Sequence, residues 1–159
     1  MPTASEEAAS APLVGPLYCD ASALAKLFLP ETGSAELNAR VAGRNDVLVS
    51  DLAVTEVASA LARRAREGAL SPAAAGRVYR KILATVAEGA FRRVDLLAST
   101  HRDAERLLLS SARAGLRAAD ALHLALALGA GVGTLLTYDH GLARGALALS
   151  VSVWPEAPP

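Results

Sequence analysis

Four acidic residues, Asp20, Glu56, Asp120 and Asp139, stand where chemistry could be built. Each has an ordinary explanation alone. Asp20 lies between the apolar run Leu17-Tyr18-Cys19 and a helix opening Ala-Ser-Ala, so it could be a simple N-cap. Glu56 is flanked by apolar residues on both sides, which suits a buried or cleft-facing carboxylate as well as a solvated one. Asp120 sits near a helix start, where the helix dipole favours an anion. Asp139 follows Leu-Leu-Thr-Tyr and precedes His-Gly, as in a turn. The four together ask for more. Carboxylates gathered at one end of a sheet repel one another unless cations accompany them. Oxygen-only ligands suit Mg²⁺ or Mn²⁺. Two such ions about 4 Å apart can activate a water and stabilise the leaving oxygen of a phosphodiester. The Cys and His clusters expected of zinc are missing. His101, His123 and His140 are far apart in sequence and read as helix-face or surface residues; His140, beside Asp139, is kept as a candidate substrate contact.

The elements that must position these acids follow from apolar period and punctuation. Leu17–Cys19, Val47–Val49, Phe91–Val94, Thr134–Thr137 and Val151–Val153 read as short strands. Helices are expected over Ala21–Leu29 (stopped by Pro30), Ser34–Val41, Leu52–Glu67, Pro72 to about Glu88 behind the cap Ser71, Thr100–Ala114, Ala118–Leu128 and Leu142–Leu149. Alternating strands and helices predict an α/β fold, a three-layer α/β/α sandwich around a mainly parallel sheet of four to five strands. In such sheets the ligand crevice lies beyond the carboxyl ends of the strands. Asp20 and Asp139 fall just past two of those ends.

Composition narrows the class. The 159 residues fit one domain, expected over 17–154, behind a disordered tail over 1–16. The tail lacks a basic start and carries Glu6 and Glu7, so it does not read as an export signal. Apolar residues make up 52% and aromatic ones 4%, so Leu, Val and Ala must build the core. No apolar run approaches the roughly 20 residues that span a bilayer. The single cysteine, Cys19, excludes an internal disulfide, reads as a buried strand residue and points to the cytoplasm. With 16 basic and 16 acidic residues, any grip on nucleic acid must come from local patches. A mean hydropathy of +0.30 suggests apolar surface covered by a partner.

Four motifs carry a family resemblance: Tyr18-Cys19-Asp20-Ala21-Ser22-Ala23-Leu24, Thr55-Glu56-Val57, Ala119-Asp120-Ala121-Leu122-His123-Leu124-Ala125, and Leu136-Thr137-Tyr138-Asp139. In this order and spacing the chain resembles a PIN domain, and more narrowly a VapC toxin of a toxin–antitoxin pair, from about Leu17 to Val153. The resemblance implies a PIN-like fold and Mg²⁺-dependent endoribonuclease activity. It further implies inhibition by a cognate VapB-type antitoxin, and a homodimer. Its acidic positions map onto Asp20, Glu56, Asp120 and Asp139, its small hydroxyl residue onto Ser22 and its threonine before the last acid onto Thr137. On that reading Asp20, Asp120 and Asp139 hold the metal, Glu56 is a further ligand or a base that orients water, and Ser22 and Thr137 position the acids. The stretch before Leu17 departs from the compact start usual in the family.

Arg63, Arg64 and Arg66 form the densest basic cluster, at the end of the Glu56 helix; Arg113 and Arg117 flank Asp120. These are RNA-phosphate candidates, set against simple pairing of cations with a helix C-terminus. The alanine-rich helices Leu52–Leu61 and Pro72–Val86 could form a groove for an antitoxin helix or a homodimer face. Two other readings compete with the nuclease: a non-catalytic RNA- or partner-binding module on the same fold, and a phosphoryl-transfer enzyme of receiver or dehalogenase type. The second lacks the further Asp such phosphatases carry two residues after the first, since Ser22 stands there.

Overall fold

The computed structural model describes residues 12–110 and 115–156. Its apolar runs become β1 (Leu17–Cys19), β2 (Val47–Ser50), β3 (Arg92–Val94), β4 (Thr134–Leu136) and β5 (Ser152–Trp154). All pair in parallel, in the order β3-β2-β1-β4-β5. The helices are α1 (Ala21–Phe28), α2 (Ser34–Val41), α3 (Asp51–Arg66), α4 (Pro72–Ala87), α5 (Ala98–Ser110), α6 (Ala118–Gly129) and α7 (His140–Ala148). The chain winds outward from β1 in both directions, to β2 on one side and to β4 on the other. Such a reversal opens a crevice at the carboxyl ends of the two central strands.

Because side chains alternate along a strand, one sheet feeds two cores. Leu17, Cys19, Val47, Val49 and Leu136 face one way and pack with Ala23 and Leu24 of α1, Leu37 of α2, Val57 and Leu61 of α3 and Ile82 of α4. Tyr18, Leu48, Leu135 and Val153 face the other way, onto Leu124 of α6 and Leu142 and Ala146 of α7. α5 joins that second layer through Ala104, which packs on Ala121 and Ala125. The result is the expected three-layer sandwich.

Local capping moved several boundaries by a residue or two. β2 runs on to Ser50, whose hydroxyl accepts the Ala53 N–H at 3.1 Å and so starts α3 at Asp51 rather than Leu52. α7 opens at His140 instead of Leu142, since Asp139 caps it. Residues 111–114, the end of the expected helix Thr100–Ala114, lie outside the described residues, and Arg113 with them. Of the tail expected before Leu17, residues 1–11 also lie outside them. Residues 12–16 are tied to the domain. Thr134 Oγ1 donates to the Val14 carbonyl at 2.7 Å, Arg44 Nη1 to that of Leu13 at 3.2 Å, and Gly133 N–H to that of Pro16 at 2.8 Å. Glycine is required at 133, because a Cβ there would stand 2.6 Å from the Val14 carbonyl oxygen.

Candidate active site

Asp20 leaves β1 in extended conformation and caps α1, accepting the Ala23 N–H at 2.9 Å. Its carboxylate also accepts the Ser22 hydroxyl, at 2.7 and 2.9 Å, and the Thr137 hydroxyl at 2.7 Å. The two hydroxyls in turn accept backbone N–H groups from the β4 end: Tyr138 to Ser22 at 2.8 Å and Asp139 to Thr137 at 3.0 Å. Ser22 and Thr137 therefore stitch the ends of the two central strands together around Asp20. That carboxyl is 3% exposed, and its burial pushes its pKa up despite the opposing bonds from Ala23, Thr137 and Ser22.

Asp139 caps α7, accepting N–H groups of Gly141 at 2.7 Å and Leu142 at 3.0 Å. Partial burial would raise its pKa, but those bonds and the Arg117 guanidinium outweigh it and hold the carboxyl below the usual range. Asp120, in the first turn of α6 and 4% exposed, accepts the Arg117 N–H at 3.0 Å. The Arg117 side chain bridges the two acids, with Nε 3.1 Å from Asp120 Oδ2 and Nη2 2.8 Å from Asp139 Oδ2. The acids lower the energy of the charged guanidinium and raise its pKa.

Glu56 projects from α3 across the same opening, and its Oε2 is 2.6 Å from His123 Nε2. Asp20, Ser22, Glu56, Asp120, His123 and Asp139 line one cleft of about 510 Å³, with Arg63, Arg66 and Arg117 around them. All four predicted acids meet there. The basic trio of α3 divides: Arg63 and Arg66 line the cleft, whereas Arg64 is paired with Glu31. His140, an exposed residue, opens α7 and is not among the lining residues. His123 is the residue sequence reasoning missed. The sequence predicts a helix-face or surface histidine, yet it is 3% exposed and bonded at both ring nitrogens. Its position three residues after Asp120 was the available signal, since i and i+3 share a helix face.

The donor chemistry fits a hard divalent cation. The acids offer only oxygen, a desolvated carboxylate gains from a cation beside it, and a guanidinium already spans two of them. Among the described residues, no three acidic, histidine or cysteine groups meet closely enough to hold an ion as they stand. Away from the cleft, Val54, Tyr79, Leu83 and Val86 line a groove of about 270 Å³ between α3 and α4.

The PIN domain model matches residues 17–147. The chain belongs to the PIN domain family. Two curated relatives from strains of Mycobacterium tuberculosis, ribonuclease VapC45 and ribonuclease VapC49, are each 40% identical over 144 residues, covering 87% of this chain and 94% of theirs. Among solved structures, VapC20 of M. tuberculosis, a sarcin-ricin loop cleaving toxin, superposes with a TM-score of 0.67 at 16% identity, covering 90% of this chain and 99% of that one. At that identity the likeness shows the fold alone. It is a PIN fold, and Asp20, Glu56, Asp120 and Asp139 line one cleft of it.

Proposed function

We propose that this PIN domain protein is a metal-dependent endoribonuclease, the toxin component of a VapBC-type pair, hydrolysing RNA phosphodiester bonds. The observation that carries the reading is the convergence of Asp20, Glu56, Asp120 and Asp139 on one cleft at the switch between β1 and β4. The 40% identity to ribonucleases along nearly the whole chain supports it.

Asp20, Asp120 and Asp139 would hold Mg²⁺ or Mn²⁺, with Glu56 as a further ligand or as the base that orients the attacking water. When bound, such a cation lowers the pKa of its water and neutralises charge developing on the phosphate. The chain's own groups do the rest. Ser22 and Thr137 keep the Asp20 carboxylate turned into the cleft. Asp139 is ionised at neutral pH, in keeping with its lowered pKa. Arg63 and Arg66 offer phosphate contacts on the α3 wall. A VapB-type antitoxin and a second copy of the chain are the expected protein partners, with the α3–α4 groove the candidate seat for an antitoxin helix. On this reading the protein works in the cytoplasm; no helix among the described residues is long and apolar enough to cross a membrane.

The test is cleavage of bulk RNA by purified protein with Mg²⁺ or Mn²⁺ and with EDTA. Wild type should cleave only with metal, while Asp20→Asn and Asp120→Asn should lose cleavage and keep the wild-type circular dichroism spectrum. Undiminished cleavage by either variant overturns the metal-site reading. Tight RNA binding without cleavage by wild type would favour a non-catalytic module.

A further inference from the structure

A chain of side-chain hydrogen bonds runs from the floor of the sheet to the rim of the cleft. Ser50 and Tyr18 are fully buried, and Tyr18 Oη lies 2.7 Å from Ser50 Oγ and 2.8 Å from His123 Nδ1. His123 Nε2 then meets Glu56 Oε2 at 2.6 Å. These four residues come from β1, the β2–α3 junction, α6 and α3, so the chain spans both faces of the sheet.

Proton counting gives the chain one direction. A glutamate carboxylate only accepts, so Nε2 must carry the hydrogen. With that hydrogen on Nε2, Nδ1 can accept from the Tyr18 hydroxyl. Tyr18 then accepts the Ser50 hydroxyl, and Ser50 still accepts the Ala53 N–H at 3.1 Å. Every donor and acceptor is used once. In the reverse direction the Ser50 hydrogen has no partner among these groups, in a fully buried place where a lost bond costs about 1–3 kcal/mol. A ring with its hydrogen on Nδ1 alone would also set its Nε2 lone pair against the carboxylate.

We propose that His123 is a positioning residue, held by Tyr18 and Ser50, that donates from Nε2 to the Glu56 carboxylate and so fixes it in the cleft. Glu56 is the most exposed of the four residues, at 36% of its side chain, and stands on a helix wall with many rotamers open to it. A donor fixed at one point removes most of them. Asp20 needs no such device, having two hydroxyls and a backbone N–H of its own. This inference rests on the nuclease reading only in giving Glu56 a catalytic task.

Nitrogen-15 NMR of the full chain labelled at histidine tests the direction without any activity. The chain has three histidines, and the His123 signals are identified by their loss in His123→Gln. In wild type they should report a hydrogen on Nε2; an Nε2 without one overturns the proposal. Kinetics test the purpose. Tyr18→Phe leaves every cleft-lining side chain in place, and it should lower kcat with KM unchanged. His123→Leu should cost roughly 10–100-fold, the usual effect of removing a group that orients a metal-site carboxylate, and His123→Gln, which keeps an N–H near Nε2, should recover part of it. In a Glu56→Ala background, His123→Leu should have no further effect. Full activity in Tyr18→Phe and His123→Leu, or additive losses with Glu56→Ala, overturns the proposal while metal-dependent cleavage by wild type upholds the nuclease. No cleavage by wild type with the expected hydrogen on Nε2 would instead sink the nuclease reading alone.

Discussion

Arg117 Nη2 lies 2.8 Å from Asp139 Oδ2 and 3.2 Å from Asp120 Oδ1, so one guanidinium joins the N-terminal ends of two helices. It supplies the positive charge between a buried carboxylate, Asp120, and a half-buried one, Asp139. A divalent ion and Arg117 would serve the same acids.

Arg117→Ala should therefore separate the two roles. Without divalent metal the variant should melt below wild type, because Asp120 and Asp139 lose their shared counter-charge. Added Mg²⁺ or Mn²⁺ should raise its melting temperature by more than it raises that of wild type. Differential scanning fluorimetry with and without metal reads both effects. An equal metal response in the two proteins would remove the acids from any cation site.

Thr137 is buried, donates to Asp20 and accepts from the Asp139 N–H. Thr137→Val keeps the shape and deletes both bonds. A destabilisation of about 1–3 kcal/mol is expected in chemical denaturation, the usual cost of stranding buried polar groups. RNA cleavage should fall further than stability accounts for, as Asp20 loses a bond that aims it. Wild-type rates would show that Ser22 suffices.

The three arginines of α3 should behave differently. Arg63→Ala and Arg66→Ala should each flatten the salt dependence of RNA binding by roughly 0.7 in log–log slope, the single-strand value per phosphate contact. Arg64→Ala should leave the slope alone and lower stability, because Arg64 is paired with Glu31. Fluorescence anisotropy across a salt series decides it, and equal slopes for all three variants would contradict the division.

Glu31 provides a pH signature. Partial burial raises its pKa, but the bonds and charges of Arg64 and Lys26 outweigh that and hold it below the usual glutamate value. A depressed folded-state pKa stabilises the fold above the unfolded value and loses that effect as pH falls through the folded one. The stability gap between wild type and Glu31→Gln should thus be open at neutral pH and close on acidification below the usual glutamate range. A gap that persists in acid would assign it to packing.

Much of this was legible in the chain itself. The apolar runs Leu17–Cys19 and Thr134–Leu136, each followed within three residues by an aspartate, announced parallel strands with acids at their ends. Ser71-Pro72, Asp20 and the glycines after the helices marked boundaries to within a residue or two, since caps act over one turn. These are local rules, and local rules can be read in order along a sequence.

What tertiary structure decided lay between distant segments. Nothing near Arg64 in the sequence says that it meets Glu31, or that its neighbours Arg63 and Arg66 face the cleft instead; a helix sends adjacent residues to different sides. The role of His123 depended on Tyr18, 105 residues away, and on Glu56, 67 residues away. A buried ring nitrogen has no meaning until its partner is known. Asp20, Asp120 and Asp139 could be named from sequence because each obeys its own strand end or helix start, whereas Glu56, inside α3, is marked only by its apolar flanks and its motif. The hydrogen bonds that aim them join Asp20 to Thr137 and Glu56 to His123, and only the packing of both helical layers on one sheet brings those pairs together.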